Sequence, residues 1–288
     1  MMKRKLQIVL VIITFATNLL YAANDVHYEN QDSVILEQYK LYIKPYSYSS
    51  LETILDKTSV FFLNAPYVAH TLEVSPREEL IVNLREFDCF TFVETVMALA
   101  LNVKSGEGLT LENFSKQLQQ IRYRDGKLTD YSSRLHYTSD WVLNNELKGL
   151  IKNISRPLGG QKETKTINFM STHRDAYDQL KNDDKMLEQI LTVEKEINQR
   201  GGFWYLAKDK IDQKSASIPH MAMIAFTTSI NGLDITHVGF AYHKNGNLTF
   251  IHASSLKEKV VIDEKTLSYY CSGQKTCTGI MVIDTVIQ

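Results

Sequence analysis

One cysteine and two histidines carry the strongest claim to chemistry in this chain. Cys89 follows Asp88 and heads an apolar, helix-compatible run from Phe90 to Ala100. A helix start is where a thiol most readily becomes a thiolate, because unpaired N–H groups and the positive end of the helix dipole both favour S⁻. Alone, the position is a weak signal, since a cysteine there is more often a small buried hydrophobe. The cysteine count strengthens it. The chain holds three, and Cys271 and Cys277, six positions apart in a glycine-containing loop, could close a small disulfide in an oxidising compartment. Cys89 is then the odd thiol.

A base and an orienting group lie on either side of Asn245-Gly246, the strongest short-range hairpin signal in the sequence. A two-residue turn there pairs 244 with 247, 242 with 249 and 239 with 252. His252 falls opposite Gly239, which leaves space on that face, and His237 lies two residues along from Gly239. The two histidines therefore share a face as diagonal neighbours. In a cysteine hydrolase, His237 takes the thiol proton and returns it to the leaving amine, while His252 holds the His237 ring in the productive tautomer. Any one of the eight histidines alone reads first as structural, and His243, nearer the turn, keeps that reading. A zinc site is the chemical rival, but no C-x-x-C or H-E-x-x-H spacing occurs, so the expectation is neither metal nor cofactor. No G-x-S-x-G is present for a serine hydrolase.

The elements that must position these residues are read from periodicity. Helical spacing runs over Ser33–Tyr42 and Ser50–Leu63, from Cys89 to about Val103 with an end at Ser105-Gly106, and over Leu111–Ile121 behind Thr110 as N-cap. In the helix from Cys89, residues Phe92, Val93, Val96, Leu99 and Ala100 form one apolar stripe. Leu80–Leu84 reads as a short extended segment, and Asp125-Gly126 as a hairpin-type turn. Trp141–Leu150, Thr172–Leu180 and Met186–Ile197 read as helices, with 155–170 loop-like between them. From Ala222 the texture is β, with strands at Met223–Phe226, Val238–Tyr242, Leu248–Ile251 and Ile280–Ile283. Helices first and strands last predicts an α+β fold, a helical half over about 23–200 packed on a small antiparallel sheet or barrel over 201–288, in one catalytic unit.

Composition narrows the compartment. At 288 residues, 44% hydrophobic and 23% charged, with a net charge of -1, the chain has an ordinary globular balance and no electrostatic case for nucleic acid. Lys3, Arg4 and Lys5 precede an apolar stretch from Leu6 to Ala16, which predicts a secretory signal peptide over 1–22, cut near Ala22 or Ala23. The stretch is short for a membrane anchor. Removing the three cations with it takes the net charge from -1 to -4. The expectation is an exported protein with no stable membrane insertion after cleavage.

Four separated motifs, in this order, resemble one family. They are Asp88-Cys89-x-Thr91-Phe92-Val93-Glu94, Tyr131-Ser132-Ser133-Arg134-Leu135-His136-Tyr137, Thr236-His237-Val238-Gly239 and His252-Ala253-Ser254-Ser255. Together they resemble the N-acetylmuramoyl-L-alanine amidase-like branch of the NlpC-type, papain-like cell-wall hydrolases, and Asn64-Ala65-Pro66-Tyr67-Val68-Ala69 also matches the branch. The resemblance implies a papain-like fold and hydrolysis of the amide between muramic acid and L-Ala in muropeptides. The periplasm of a Gram-negative bacterium is the implied setting. The catalytic set it implies is Cys89, His237 and His252. Arg134 would pair bidentately with a peptide carboxylate, with Tyr131, Ser133, His136 and Tyr67 as further substrate contacts. An endopeptidase cutting after γ-D-Glu and a non-catalytic wall-binding module are the alternatives. Two departures stand out. Phe90-Thr91 replaces the usual Ser-Gly after the cysteine, which fits a substrate whose L-Ala nitrogen is already acylated. His220-Met221 stands where Gly-Asp usually precedes the strand.

Overall fold

The computed structural model describes residues 26–286. The predicted signal segment and its cleavage point lie outside the described residues. Five helices come first: α1 (Asn30–Ile43), α2 (Leu51–Phe61), α3 (Cys89–Ser105), α4 (Leu111–Arg122) and α5 (Thr138–Leu147). Strands β1 (Val26–His27) and β2 (Leu80–Ile81) form a short parallel pair among them. Next come β3 (Ile151–Asn153), β4 (Gln161–Glu163), α6 (Phe169–Thr172), α7 (Asp178–Lys181), α8 (Asp184–Gln199), β5 (Phe203–Ala207) and α9 (Ile211–Lys214). The chain closes with β6 (Met223–Thr228), β7 (Ile235–Lys244), β8 (Asn247–Ser254), β9 (Lys259–Ile262), α10 (Leu267–Gly273) and β10 (Cys277–Thr285).

Antiparallel pairing orders the main sheet β4-β5-β10-β6-β7-β8-β9, with β3 also on β10. This is the mixed α+β architecture that the order of elements predicts. Side-chain alternation separates the two faces. Met223, Ala225, Val238, Phe240, Ile251 and Ala253 join the core beneath the helical layer. Ile224, Phe226, Ala241, Leu248 and Phe250 join a second core with Leu267 of α10 and Ile211 of α9. Helices thus cover both faces.

Helix α3 is the axis of the helical layer. The sequence predicts one apolar stripe, but every residue from Thr91 to Val103 is buried, because other helices close its second side. A helix enclosed on all sides tolerates a charge only when it is paired. Glu94 is met by Arg122 Nε at 2.6 Å and Trp141 Nε1 at 3.2 Å. Arg122 also donates to the Ile81 carbonyl at 2.7 Å.

Several expectations shift. Helix α5 starts at Thr138 rather than Trp141 because Asp234, remote in sequence, accepts from the Ser139 N–H at 2.6 Å and caps it. Thr172–Leu180 is broken into short turns around α6 and α7. Asp125-Gly126 forms a tight turn after α4, with Asp125 at φ 53°, rather than a two-strand hairpin. Strands β3 and β4 fall before residue 201, so the helical and β parts interleave. Met221 adopts φ 59°, the left-handed conformation that a glycine takes without strain, where the sequence departs from Gly-Asp. Among the described residues no helix is long and apolar enough to cross a membrane.

Candidate active site

Cys89 occupies the first position of α3 and is fixed there by a reciprocal cap. Asp88 Oδ1 accepts from the Phe90 and Thr91 N–H groups at 2.9 and 2.8 Å, while Thr91 Oγ1 accepts from the Asp88 N–H at 3.0 Å. The thiol is free and half-buried. Phe90, the residue after it, packs edge-on against Trp141 with ring centroids 5.6 Å apart.

The hairpin forms in the predicted register, Lys244 with Asn247 and Tyr242 with Thr249, and Asn245 and Gly246 both take positive φ. Gly239 is needed where it stands. A Cβ there would lie 2.9 Å from His252 Cβ and 2.7 Å from the Ile251 carbonyl. A bulge at Thr236 shifts the β6–β7 pairing just before His237, so that Phe226 faces His237 but Thr227 faces Ile235. A 2.6 Å hydrogen bond joins His237 Nε2 and His252 Nδ1. His252 is fully buried and stacks on Phe250 at 4.1 Å. That bond ties the two ring nitrogens to each other and leaves His237 Nδ1 open.

The thiol lies against the same strand. Backbone N–H groups of Val238, next to His237, and of Cys89 and Phe90 pull its pKa down, but burial and then the Asp88 charge outweigh them and push it up to about 12. Burial and Asp88 thus oppose the thiolate that a helix start favours. The acidic cap that fixes Cys89 also opposes its ionisation. Burial, and then the neighbouring His252, lower His237 to about 3. The resting pair is a thiol and a neutral imidazole. No hydrogen bond joins Cys89 to His237 at rest among the described residues, and such bonds often tighten only when substrate binds.

Two residues that the sequence does not single out complete the surroundings. Asp263, just beyond β9, brings Oδ2 to 3.5 Å from His252 Nε2, an ion-pair distance rather than a full hydrogen bond; that nitrogen has no other partner. Tyr270 of α10 places its ring 6.1 Å from His237, 5.8 Å from His252 and 4.7 Å from Phe250. Its helix is tied to β10 by a Cys271–Cys277 disulfide, with Cα atoms 5.8 Å apart. A cleft of about 1040 Å³ opens here, bordered by His237, Asp263, Tyr270, Asn64 and Lys257.

Of the predicted substrate contacts, Tyr67 borders the thiol: burial and then the Cys89 and Asp88 charges raise its pKa. The other four form an internal network. Arg134, 7% exposed, donates to Glu73 Oε1 and Glu78 Oε2, each at 2.9 Å, and lies over the Tyr131 ring. Ser133 Oγ donates to the Asp130 carbonyl at 2.6 Å. His136 Nε2–H donates to the Tyr131 carbonyl at 2.7 Å, and burial holds this histidine down to about 3. Both terminal nitrogens of Arg134 are thus held by glutamates, while its buried Nε has no hydrogen-bond partner.

The family pattern described as AmiA-like, N-acetylmuramoyl-L-alanine amidase-like, matches residues 57–280. The chain belongs to this family. Cys89, His237, His252, Asp263 and Tyr270 all fall within the matched span. Among solved structures, a xylanase candidate from Bacteroides fragilis is 39% identical, over 79% of this chain and 99% of its own, with a TM-score of 0.75. Two structures of an N-acetylmuramoyl-L-alanine amidase from Bacteroides uniformis ATCC 8492 are also similar. One is 35% identical over 81% of this chain and 99% of its own, TM-score 0.77. The other is 34% identical over 82% and 98%, TM-score 0.73. No curated protein matches.

Proposed function

We propose that the protein is an exported cysteine amidase that hydrolyses the amide joining the lactyl group of N-acetylmuramic acid to L-Ala in muropeptides. Family membership supports the bond class. The observation that carries the mechanism is the 2.6 Å His237–His252 bond beside a strand whose next N–H, that of Val238, acts on the Cys89 sulfur. A cysteine heading a buried helix, against an antiparallel sheet that bears two histidines, is the layout expected of a papain-like enzyme of the NlpC type. The setting that fits this substrate is the periplasm.

Cys89 Sγ attacks the lactyl carbonyl carbon while its proton passes to His237 Nδ1. The C–N bond breaks as that proton moves on to the L-Ala nitrogen, leaving a thioester on Cys89. Water then attacks the thioester with His237 as base, releasing the muramic acid carboxylate. Because the resting pair is neutral, proton transfer accompanies attack instead of preceding it. In this reading the Cys89 backbone N–H, at the positive end of α3, donates to the developing oxyanion.

A glycosidase reading, raised by the name of the B. fragilis relative, would need two carboxyl groups facing each other across a sugar. The carboxylate beside the histidines, Asp263, is turned to His252 instead. Digestion of a defined muropeptide, with products weighed, tests the proposal. The expected products are the intact sugar and a stem peptide with a free L-Ala amine. A cut after γ-D-Glu would replace this reading with the endopeptidase.

A further inference from the structure

Asp263 is anchored more firmly than an exposed loop carboxylate would be. Its N–H donates to the Phe250 carbonyl at 2.9 Å, and its carbonyl accepts from Thr249 Oγ1 at 2.6 Å. Its Oδ1 accepts from the Lys265 N–H at 2.8 Å. With backbone and one oxygen fixed, Oδ2 is held toward His252 Nε2 at 3.5 Å. That nitrogen sits on a fully buried ring and has no hydrogen-bond partner. A buried, unpartnered ring nitrogen facing an anchored carboxylate oxygen carries the hydrogen, because a lone pair there would face negative charge.

We propose that Asp263 is a positioning residue that sets the tautomers of both active-site histidines and so makes His237 Nδ1 the base. The inference rests on the amidase reading of the site. Asp263 selects Nε2–H on His252, which leaves His252 Nδ1 with its lone pair. That lone pair accepts from His237 Nε2–H across 2.6 Å. His237 Nδ1 is then unprotonated and free to take the Cys89 proton. The opposite tautomers would put a hydrogen on His237 Nδ1 and remove the base. When His237 becomes cationic during attack, the carboxylate stabilises that charge through His252 without touching substrate. Burial raises the Asp263 pKa, but the His252 contact and the Lys265 N–H outweigh it, so the group stays ionised. The other titratable groups near the relay include Cys89, Tyr270, Glu264 and Lys265, whose charge also helps to keep Asp263 ionised, and none of them bonds His252 Nε2.

The test pairs turnover with a readout that needs no substrate. In protein labelled with ¹⁵N-histidine, two-bond ¹⁵N–¹H correlations assign each ring's tautomer. The wild type is expected to show Nε2–H on both His237 and His252. Asp263→Ala should mix or invert them and lower kcat roughly 10- to 100-fold, with KM within about twofold. Asp263→Glu, which keeps the charge, should restore part of the loss. Wild-type Nδ1–H on His237, or unchanged tautomers in Asp263→Ala, would overturn the proposal. So would unchanged kcat in that variant. If wild type instead cuts another bond or none, the amidase reading fails, while the tautomer spectra still decide the role of Asp263.

Discussion

At the scale of single residues, the site works with groups that burial keeps neutral. His237, lowered to about 3 by burial and then by His252, is unprotonated through the physiological range, as the proposed mechanism requires of its proton acceptor. Its acid limb should therefore not appear near the ordinary histidine value. We expect kcat/KM between about pH 5 and about pH 8 to lack an acid transition near 6.5. A transition centred there would mean that His237 titrates as a solvated ring and that its burial is lost in the working enzyme. Cys89 follows the same logic, because two helix-start N–H groups and the Val238 N–H do not overcome desolvation and Asp88. A helix start marks where a thiolate is favoured only if water or a cation is also at hand. The sequence carries the cap but not the burial.

At the scale of elements, two ties hold the site together. Glu94 and Arg122 form a buried pair at 2.6 Å that locks α3 to α4, and through the Ile81 carbonyl to β2. Glu94→Gln leaves the Arg122 charge uncompensated, and chemical denaturation should show a loss of about 3–5 kcal/mol. The second tie is the Cys271–Cys277 bridge, which fixes α10 and hence the Tyr270 ring over the histidines. Replacing both cysteines by serine should cost about 2 kcal/mol by the short loop it opens, read as a lower melting temperature. Legibility follows the range of the interaction that decides each element. The β7–β8 hairpin was readable because Asn245-Gly246 fixes its register locally, and with it the meeting of His237 and His252. The α3 cap at Asp88 was readable for the same reason. Strand β5 was not, because its pairing partners β4 and β10 are both remote in sequence, and neither was the start of α5, capped by Asp234. Asp263 gave no signal, since it sits in a turn beyond β9 and meets His252 only through the sheet. Arg134 was legible as a carboxylate partner, but the glutamates that claim it come from the segment before β2.

At the scale of the whole molecule, buried neutral histidines link stability to pH. His136, His237 and His252 are all lowered by burial, so the folded state binds their protons only at lower pH than the unfolded chain does. Between the unfolded value near 6.5 and the folded values, the unfolded state holds more protons, so stability rises with pH and falls on acidification. Melting temperatures should therefore drop steadily from about pH 7 to about pH 5, and a flat profile would mean these rings protonate without unfolding. In the proposed mechanism the same neutrality makes Cys89 dependent on substrate to complete its chemistry, and that is the claim most worth measuring. Wild-type protein, acid-quenched early in turnover of a defined muropeptide, should carry one muramoyl acyl group in thioester linkage on the peptide containing Cys89, while Cys89→Ala carries none and releases no stem peptide. Release of the peptide by Cys89→Ala at the wild-type rate would contradict the account.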